Sequence, residues 1–310
     1  MNLIELNDPV YGKHIIKEPI LIDLINSKAI DRLKKISHKG FPKEISDIYF
    51  TRQEHSLGVL ILLDLFGASL NAKVAGLLHD VNHAAFSHTF DVLMGSLSED
   101  HQDNTFVNFI NNNLEIKDIL KKHNFDIKEL ENLDQYTLLE LPAPETCVDR
   151  LDYSIREHYH RTKDSTFIKN IIFNLVSVNE ELIFKNKESA TSFAKAYMDI
   201  CINDFNNPLK IEKKFMFIDV LRRAIELKLI TLDDFLKDDK YITEKIYYST
   251  DEFIFNTLNK LKDNDIKIPK ETKPSKKRYV NPRYYNNQGE IVKLIETDKE
   301  YKEKIENYLK

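Results

Sequence analysis

The residues able to do chemistry stand in three separated segments. His55 lies in Thr51-Arg52-Gln53-Glu54-His55-Ser56-Leu57-Gly58-Val59, and the doublet His79-Asp80 ends the nearly all-apolar run 72–78. Further on comes the aspartate-bearing stretch Asp149-Arg150-Leu151-Asp152-Tyr153. Imidazoles and carboxylates set among apolar helical residues cost free energy unless a partner satisfies them, and a divalent metal is such a partner. Nitrogen with oxygen donors suits iron, manganese, nickel or zinc, with or without magnesium beside it, and leaves positions open, unlike a closed thiolate site. An ion held this way lowers the pKa of bound water and polarises a phosphoryl oxygen, which is what phosphate ester hydrolysis requires. His83, His88 and His101 follow closely in the chain, and an unperturbed imidazole is suited to moving protons near neutral pH.

Five ordered motifs carry a family resemblance. They are Asn7-Asp8-Pro9-Val10-Tyr11-Gly12, Asp31-Arg32-Leu33-Lys34-Lys35-Ile36, the His55 segment, His79-Asp80-Val81-Asn82-His83-Ala84-Ala85-Phe86-Ser87-His88-Thr89-Phe90-Asp91, and the Asp149 segment. In this order, over about residues 6 to 160, the chain resembles the HD-domain metal phosphohydrolases. Within them it is nearest to the deoxynucleoside triphosphate triphosphohydrolase branch, the dGTPases and the SAM-and-HD-domain enzymes. The resemblance implies that His55, His79, Asp80 and Asp149 are the metal ligands. It implies that His83 and His88 face phosphate and handle protons, and that His101 occupies the place of a further catalytic histidine. Arg52 and Arg150 resemble phosphate contacts, since a guanidinium fork suits bidentate phosphate recognition. Tyr153 and Glu157 resemble a pair lining the sugar pocket, one helical turn apart. His38 stands where that branch carries a glutamine reaching the sugar hydroxyl.

The chain also departs from the branch. It reads His38-Lys39-Gly40 where Gln-Leu-Gly is usual, and Asn82-His83-Ala84-Ala85 where Gly-His-Gly-Pro is common. The second change makes the loop less permissive than a glycine loop. After residue 190 the arginine and tyrosine that grip the outer phosphates are not evident, although Lys210, Lys213 and Lys214 lie in that region. Arg32 reads as a structural ion-pair residue.

The elements positioning these residues are mostly helical. Apolar residues recur at three- and four-residue spacing over 20–27, 29–37, 52–66, 71–78 and 106–113, interrupted by Gly40, Pro42 and Gly67. Seven glycines in 310 residues, none in a nucleotide-loop pattern, disfavour Rossmann and P-loop folds. Pro142 and Pro144 mark a turn before the helix bearing Asp149. Residues 170–178 and 182–184 about Asn179-Glu180-Glu181 predict a short hairpin. Helices are expected over 189–204 and 211–227, with Pro208 as a break between them, and from a Ser249/Glu252 capping box through Leu261. Residues 264–289 combine prolines with Lys270, Lys273, Lys276, Lys277, Arg278 and Arg283, and read as a basic loop or linker before a last helix over 291–309. The basic loop has two readings, a solvated connection or a surface for a phosphate-rich partner, with Tyr279, Tyr284 and Tyr285 available to stack on bases.

The expected fold is a mostly α HD-domain helical bundle with a small β-hairpin and a helical C-terminal extension. Its parts would be a core at 1–165, a hairpin and helical extension at 166–263, and a basic loop with a C-terminal helix at 264–310. A formal charge of -5 argues against backbone-driven nucleic-acid binding. Two cysteines make no disulfide framework, no stretch is long and apolar enough to span a membrane, and no signal peptide opens the chain, so a cytoplasmic enzyme is expected. The expected activity is metal-dependent hydrolysis of a nucleotide, as a triphosphate releasing triphosphate or as a monophosphate, by an enzyme able to form a homo-oligomer. The rivals are a phosphomonoesterase or phosphodiesterase for another small ester, and a nucleotide-sensing or nucleic-acid-binding regulator with a vestigial site.

Overall fold

The computed structural model describes residues 3–96, 101–270, 273 and 275–310, with the backbone alone for His101 and Asp103. Its framework is three helices packed around the donor residues. The central one, Arg52–Leu65, starts at a capping box in which Thr51 accepts from the Glu54 amide and the Glu54 carboxylate accepts from the Thr51 amide. It is buried on most sides, including the polar Arg52, Gln53, His55 and Ser56. Leu70–Leu78, capped by Ser69, packs along it, and Val148–Thr162 crosses it from another side. Glycines permit both approaches. A Cβ at Gly76 would stand 3.1 Å from Val59 Cγ1 and closer still to Leu63, and one at Gly58 would stand 2.8 Å from Asp152 Cγ.

The chain opens with a hairpin that the sequence reading had not included, Ile4–Asp8 against Gly12–Ile16 in antiparallel register. Only Leu6, Asp8 and Ile16 of these strands are buried, so the alternation is too sparse to read as β. After Pro19–Ile25, the helix expected over 29–37 is shorter. It spans Lys28–Arg32, tightens into a 3-10 turn at Leu33–Lys35, and ends where Ile36 turns extended. Ser37 then bridges Thr51, which carries His38 and Lys39 toward the centre of the molecule.

In the second half, the expected hairpin is present but shorter. Ser165–Phe173 is helical, capped by Asp164, so the first strand starts only at Leu175. Leu175–Val178 pairs with Glu181–Phe184 around Asn179 and Glu180, both at positive φ. Pro208 does not break a helix but begins one. It occupies the first turn of Pro208–Glu226, where its missing N–H costs nothing, and Asn207 caps it. The preceding helix, Lys187–Ile200, widens into a π turn at Cys201–Phe205. The helix Glu252–Lys262 is capped by Asp251 rather than by Ser249, whose hydroxyl accepts from the Asp251 amide instead.

The carboxy-terminal segment departs most from expectation. Arg283–Tyr285 adds in parallel to Glu181–Phe184, and Ile291–Lys293 adds antiparallel to Arg283–Tyr285. The last helix is therefore split into Leu294–Thr297 and Lys299–Leu309. Val280, Tyr284, Leu294, Tyr301 and Ile305 join the same continuous core as the residues of Arg52–Leu65. Among the described residues no helix is long and apolar enough to cross a membrane. Cys147 and Cys201 are buried free thiols.

Candidate metal centre and substrate cavity

His55 lies in the first turn of the central helix, His79 at the C-cap of Leu70–Leu78, Asp80 just beyond it, and Asp149 in the first turn of Val148–Thr162. Three helix ends therefore converge. His55 Nε2 stands 3.3 Å from His79 Nε2, and Asp149 Oδ1 lies 2.8 Å from the first and 3.4 Å from the second. Asp80 completes the group, with Oδ2 3.7 Å from His55 Nε2 and Oδ1 3.5 Å from His79 Nε2.

The outer ring nitrogens explain why both Nε2 atoms face inward. His55 Nδ1 is 2.7 Å from Asp152 Oδ2, and His79 Nδ1 is 2.7 Å from the Gly76 carbonyl. A donor bond at Nδ1 leaves Nε2 as the basic nitrogen, the arrangement of metal-ligating imidazoles. Asp152 is itself fixed by Arg156, which reaches on to Asp8 of the first hairpin at 3.0 Å. Thus the Asp8, Arg156, Asp152 and His55 side chains form one buried chain ending at the donor group.

Charge within the group behaves as a cation site should. Burial alone would depress the His79 pKa, but Asp80 and Asp149 outweigh it and push it up to about 9. His55 is likewise raised by Asp149 and Asp152 against burial. Burial would raise Asp80 and Asp149, yet Arg52 with His79 and His83 holds the first well below the carboxylate range, and His55 and His79 hold the second there. Protons on the imidazoles balance the carboxylates, and a divalent ion can take their place. Two imidazole nitrogens and two carboxylate oxygens, held from behind, fit such an ion.

Around this group the structure sorts the remaining sequence candidates. Arg52 Nη1 bonds Asp80 Oδ2 at 2.8 Å and its Nε bonds Ser87 Oγ at 3.0 Å, while Nη2 is buried with no hydrogen-bond partner. His83 Nε2 lies 3.0 Å from Asp80 Oδ1, and burial and Arg52 push its pKa down to about 3, so its ring is neutral. His88 meets His83 edge to face at 5.3 Å, is oriented by Asp91 at 2.9 Å, and is half exposed. The side chain of His101 lies outside the described residues. His38 stacks on Phe50 at 4.7 Å and meets His55 edge-on at 4.9 Å, and burial keeps its pKa well below normal.

Arg150 lines the cavity, but its N–H groups go to the Glu145 and Leu141 carbonyls, to Glu140 at 3.2 Å and to Cys147 Sγ at 3.2 Å. It braces the loop that leads into Asp149. Glu140, Cys147 and Asp149 form a second group of close potential donors, of which Arg150 already holds the first two. Tyr153 bonds Tyr197 through their hydroxyls at 2.9 Å. Glu157 is held by Lys39 at 3.0 Å and Arg161 at 2.7 Å, and Lys39 also reaches Asp204 of the π turn. Arg32 makes carbonyl contacts rather than the expected ion pair, donating to Val81, His83 and Lys237 and so fixing the loop after Asp80. Sequence reasoning had passed over Asp152, Arg156 and Lys39. The Asp152/Arg156 spacing of four on a helix was the available signal for the first two.

A cavity of about 810 Å³ opens beside the donor group, lined by three of the four donors and not by buried His55. Its wall includes His38, Arg52, His79, Asp80, His83, His88, Asp149 and Tyr153, and lysines of Pro208–Glu226 also line it.

The HD-domain family model matches residues 52–163, which contain all four donors. Over 264 residues the chain is 34% identical to the uncharacterized protein YdhJ of Bacillus subtilis, covering 83% of this chain and 79% of that one. The chain belongs to the HD-domain family. This HD-domain protein is also 29% identical over 219 residues to the metal-dependent phosphohydrolase cns2 of Cordyceps militaris, covering 68% of this chain and 63% of that protein. It is 23% identical over 270 residues to the deoxynucleoside triphosphate triphosphohydrolase SAMHD1 homolog of Dictyostelium discoideum, covering 76% and 52% respectively. It thus spans less than two thirds of the length of these last two relatives. A solved structure of a hypothetical protein from Aquifex aeolicus superposes with a TM-score of 0.71 at 18% identity, covering all of both chains, which shows the shared fold. The HD-domain chain is a metal-dependent phosphohydrolase.

Proposed function

We propose that this HD-domain phosphohydrolase acts on nucleotides, in the manner of a (d)NTP triphosphohydrolase, with His55, His79, Asp80 and Asp149 holding iron, manganese, nickel or zinc. The observation that carries the reading is the convergence of these four donors beside a cavity of about 810 Å³ that His79, Asp80 and Asp149 line, within the range of small-molecule sites and large enough for a nucleotide. The similarity to the Dictyostelium triphosphohydrolase supports the substrate class. When bound, the ion supplies Lewis acidity and an activated water.

The protein's own residues divide the remaining work. Arg52 braces Asp80 through Nη1 and offers its unpartnered Nη2 to a phosphoryl oxygen. Neutral His83 positions the phosphate without adding charge beside Arg52. His88, at the cavity wall and oriented by Asp91, delivers a proton to the leaving oxygen, with His101 as the rival for that role. Glu157 spends its carboxylate on Lys39 and Arg161, and His38 is neutral and stacked on Phe50, which supports weaker selection for deoxyribose than in the enzymes the chain resembles.

Metal analysis of the purified protein, joined to hydrolysis of matched ribo- and deoxyribonucleoside mono-, di- and triphosphates, tests this reading. Cleavage of nucleotides with modest sugar preference is the expected outcome. Strict dependence on deoxyribose would overturn the selectivity argument, and cleavage only of other phosphate esters would overturn the nucleotide assignment.

A further inference from the structure

The loop after Asp80 is held from behind by a segment of which no described residue lines the cavity, the 3-10 turn Leu232–Leu236 and the helix Asp239–Tyr247. The Phe235 carbonyl accepts from the Ala85 amide at 2.8 Å, and the Phe235 ring lies 6.5 Å from Phe86 and 4.7 Å from Phe90. Asp239, in the first turn of the helix, is buried. Its Oδ2 accepts from the Ser37 amide and its Oδ1 from the Phe86 amide, both at 2.7 Å. One of these amides leads into His38 and Lys39, the other into His88. The two segments are joined again at Ser87, whose Oγ donates to the Ser37 carbonyl at 2.7 Å and accepts from Arg52 Nε at 3.0 Å. A chain of hydrogen bonds thus runs from Asp239 through Ser37 and Ser87 to Arg52, whose Nη2 has no partner of its own. Phe86 and Ser87 stand at φ of 61° and 46°. That conformation costs free energy in residues with a side chain and persists only where the surroundings impose it. The bonds from Phe86 to Asp239 and from Ser87 to Ser37 impose it here.

We propose that Asp239 is a positioning residue for phosphate ester hydrolysis: its carboxylate clamps the Ser37 and Phe86 amides together and so sets, through Ser87, the direction of the Arg52 guanidinium. The inference rests on the reading of Arg52 as a phosphate contact and adds a residue behind the cavity wall that controls it. An ionised carboxylate suits the task because both of its oxygens only accept. A protonated one turns a hydroxyl toward one of the two N–H donors, so it keeps one bond and loses the other. Which form is present depends on pH. Burial pushes the Asp239 carboxyl up to about 8 against the pull of the Phe86 and Ser37 amides, with Asp238 adding to the rise and Arg32 opposing it. Asp238 is itself paired with Lys35 at 3.7 Å. Tyr49 also faces Asp239, and burial pushes its phenol up to about 12, so it stays neutral while Asp239 titrates. The clamp therefore closes fully as pH rises through about 8 and gives up one bond as pH falls.

D239N is the permanent counterpart of the protonated acid, equal in size, with one accepting oxygen and an amide nitrogen that opposes a backbone N–H. The test is calorimetric binding of inorganic orthophosphate to the zinc-loaded full chain and to zinc-loaded D239N, at about pH 6.5 and about pH 9.5, either side of the Asp239 value. At the higher pH the variant should bind about tenfold more weakly, a difference of about 1.4 kcal/mol. At the lower pH the two proteins should agree within about twofold, because wild type is then protonated as well. Titration of the phosphate itself and of any metal-bound water is common to both proteins and cancels in the ratio. Equal affinities at the higher pH overturn the clamp. So does the same deficit at both, since a merely structural loss does not follow the proton on one carboxyl. If D239N folds poorly, wild type alone carries the test. The amide proton resonances of Ser37 and Phe86 should then shift together with one midpoint near pH 8, and separate midpoints or no shift overturn the clamp. R52K separates this inference from the reading beneath it. If R52K loses phosphate affinity while D239N keeps it, only the clamp falls. If R52K binds phosphate like wild type, the phosphate role of Arg52 falls, and the inference with it.

Discussion

Replacing Gly58 by Ala places a methyl group where the central helix touches the Asp152/Arg156 pair. The new Cβ would stand 2.8 Å from Asp152 Cγ and closer still to Asp152 Oδ1 and Arg156 Nη2, inside any ordinary non-bonded contact. Neither side chain has anywhere to go, because both are fully buried and each is tied at its other end, to His55 and to Asp8. Two effects oppose each other. Alanine in a helix interior is favoured over glycine by about 1 kcal/mol. Separating a buried, hydrogen-bonded ion pair costs about 3–5 kcal/mol. The second wins, leaving a net destabilisation of about 2–4 kcal/mol, or a fall in melting temperature of roughly 3–6 °C for a chain of this size. The displaced Asp152 also releases His55 Nδ1, so metal affinity should fall about 10- to 100-fold, as when an outer partner of a ligating histidine is lost. Thermal denaturation of the metal-free protein and a metal titration measure the two effects separately. Making the same change in a D152A background supplies the control, since the clash with Asp152 is then gone and only that with Arg156 Nη2 is left, so the cost of the methyl should be smaller. A G58A protein that melts and binds metal like wild type would refute the claim that this buried chain positions His55.

Replacing His79 or Asp80 by Ala should remove the metal and abolish hydrolysis while circular dichroism stays helical, because a preformed site loses its ion when one ligand goes; full activity in metal-free D80A would contradict the assignment. In the metal-free protein His79 is pushed up to about 9 from 6.5, so its proton contributes stability below pH 6.5 that is lost as pH rises through about 9. Melting temperature of the metal-free protein should therefore fall across that window, while metal affinity rises across it as the competing proton leaves; flat curves for both would refute the electrostatic account. H88A should retain the metal and lose roughly 10²- to 10⁴-fold in rate, the range for a positioned acid; an unchanged rate with a large loss in H101A would transfer the role to His101. D8A should strip Arg156 of a buried partner and cost about 3 kcal/mol or more, read as a lower urea midpoint, and an unchanged midpoint would show that the first hairpin does not support the site.

Much of the site was legible in the amino-acid sequence because its signals are local. Imidazoles and carboxylates among apolar helical residues announce a partner, and the order His55, His79-Asp80, Asp149 survives any folding of the intervening chain. The helices that carry them were readable for the same reason, since three- and four-residue spacing and the Thr51/Glu54 cap need no distant information. Where local signals competed, the reading slipped. Residues 170–173 satisfy both a strand and a helix pattern, and the Asp164 cap decides for helix.

What only the tertiary structure decided is the choice of partner for each charge. Arg156 and Asp8 are 148 residues apart, and nothing near either announces the other. Arg150 and Glu157 carry groups suited to a substrate, yet their neighbours in space use those groups first, the loop carbonyls for one and Lys39 and Arg161 for the other. The basic residues around position 276 read either as a solvated connection or as a surface for a phosphate-rich partner, because composition describes only the segment itself. Their place in the cavity follows from the pairing of Arg283–Tyr285 with Glu181–Phe184, a contact between strands about a hundred residues apart that no local periodicity encodes. Residue type states what a side chain can do, and the long-range contacts state which of those capacities remains available to a ligand.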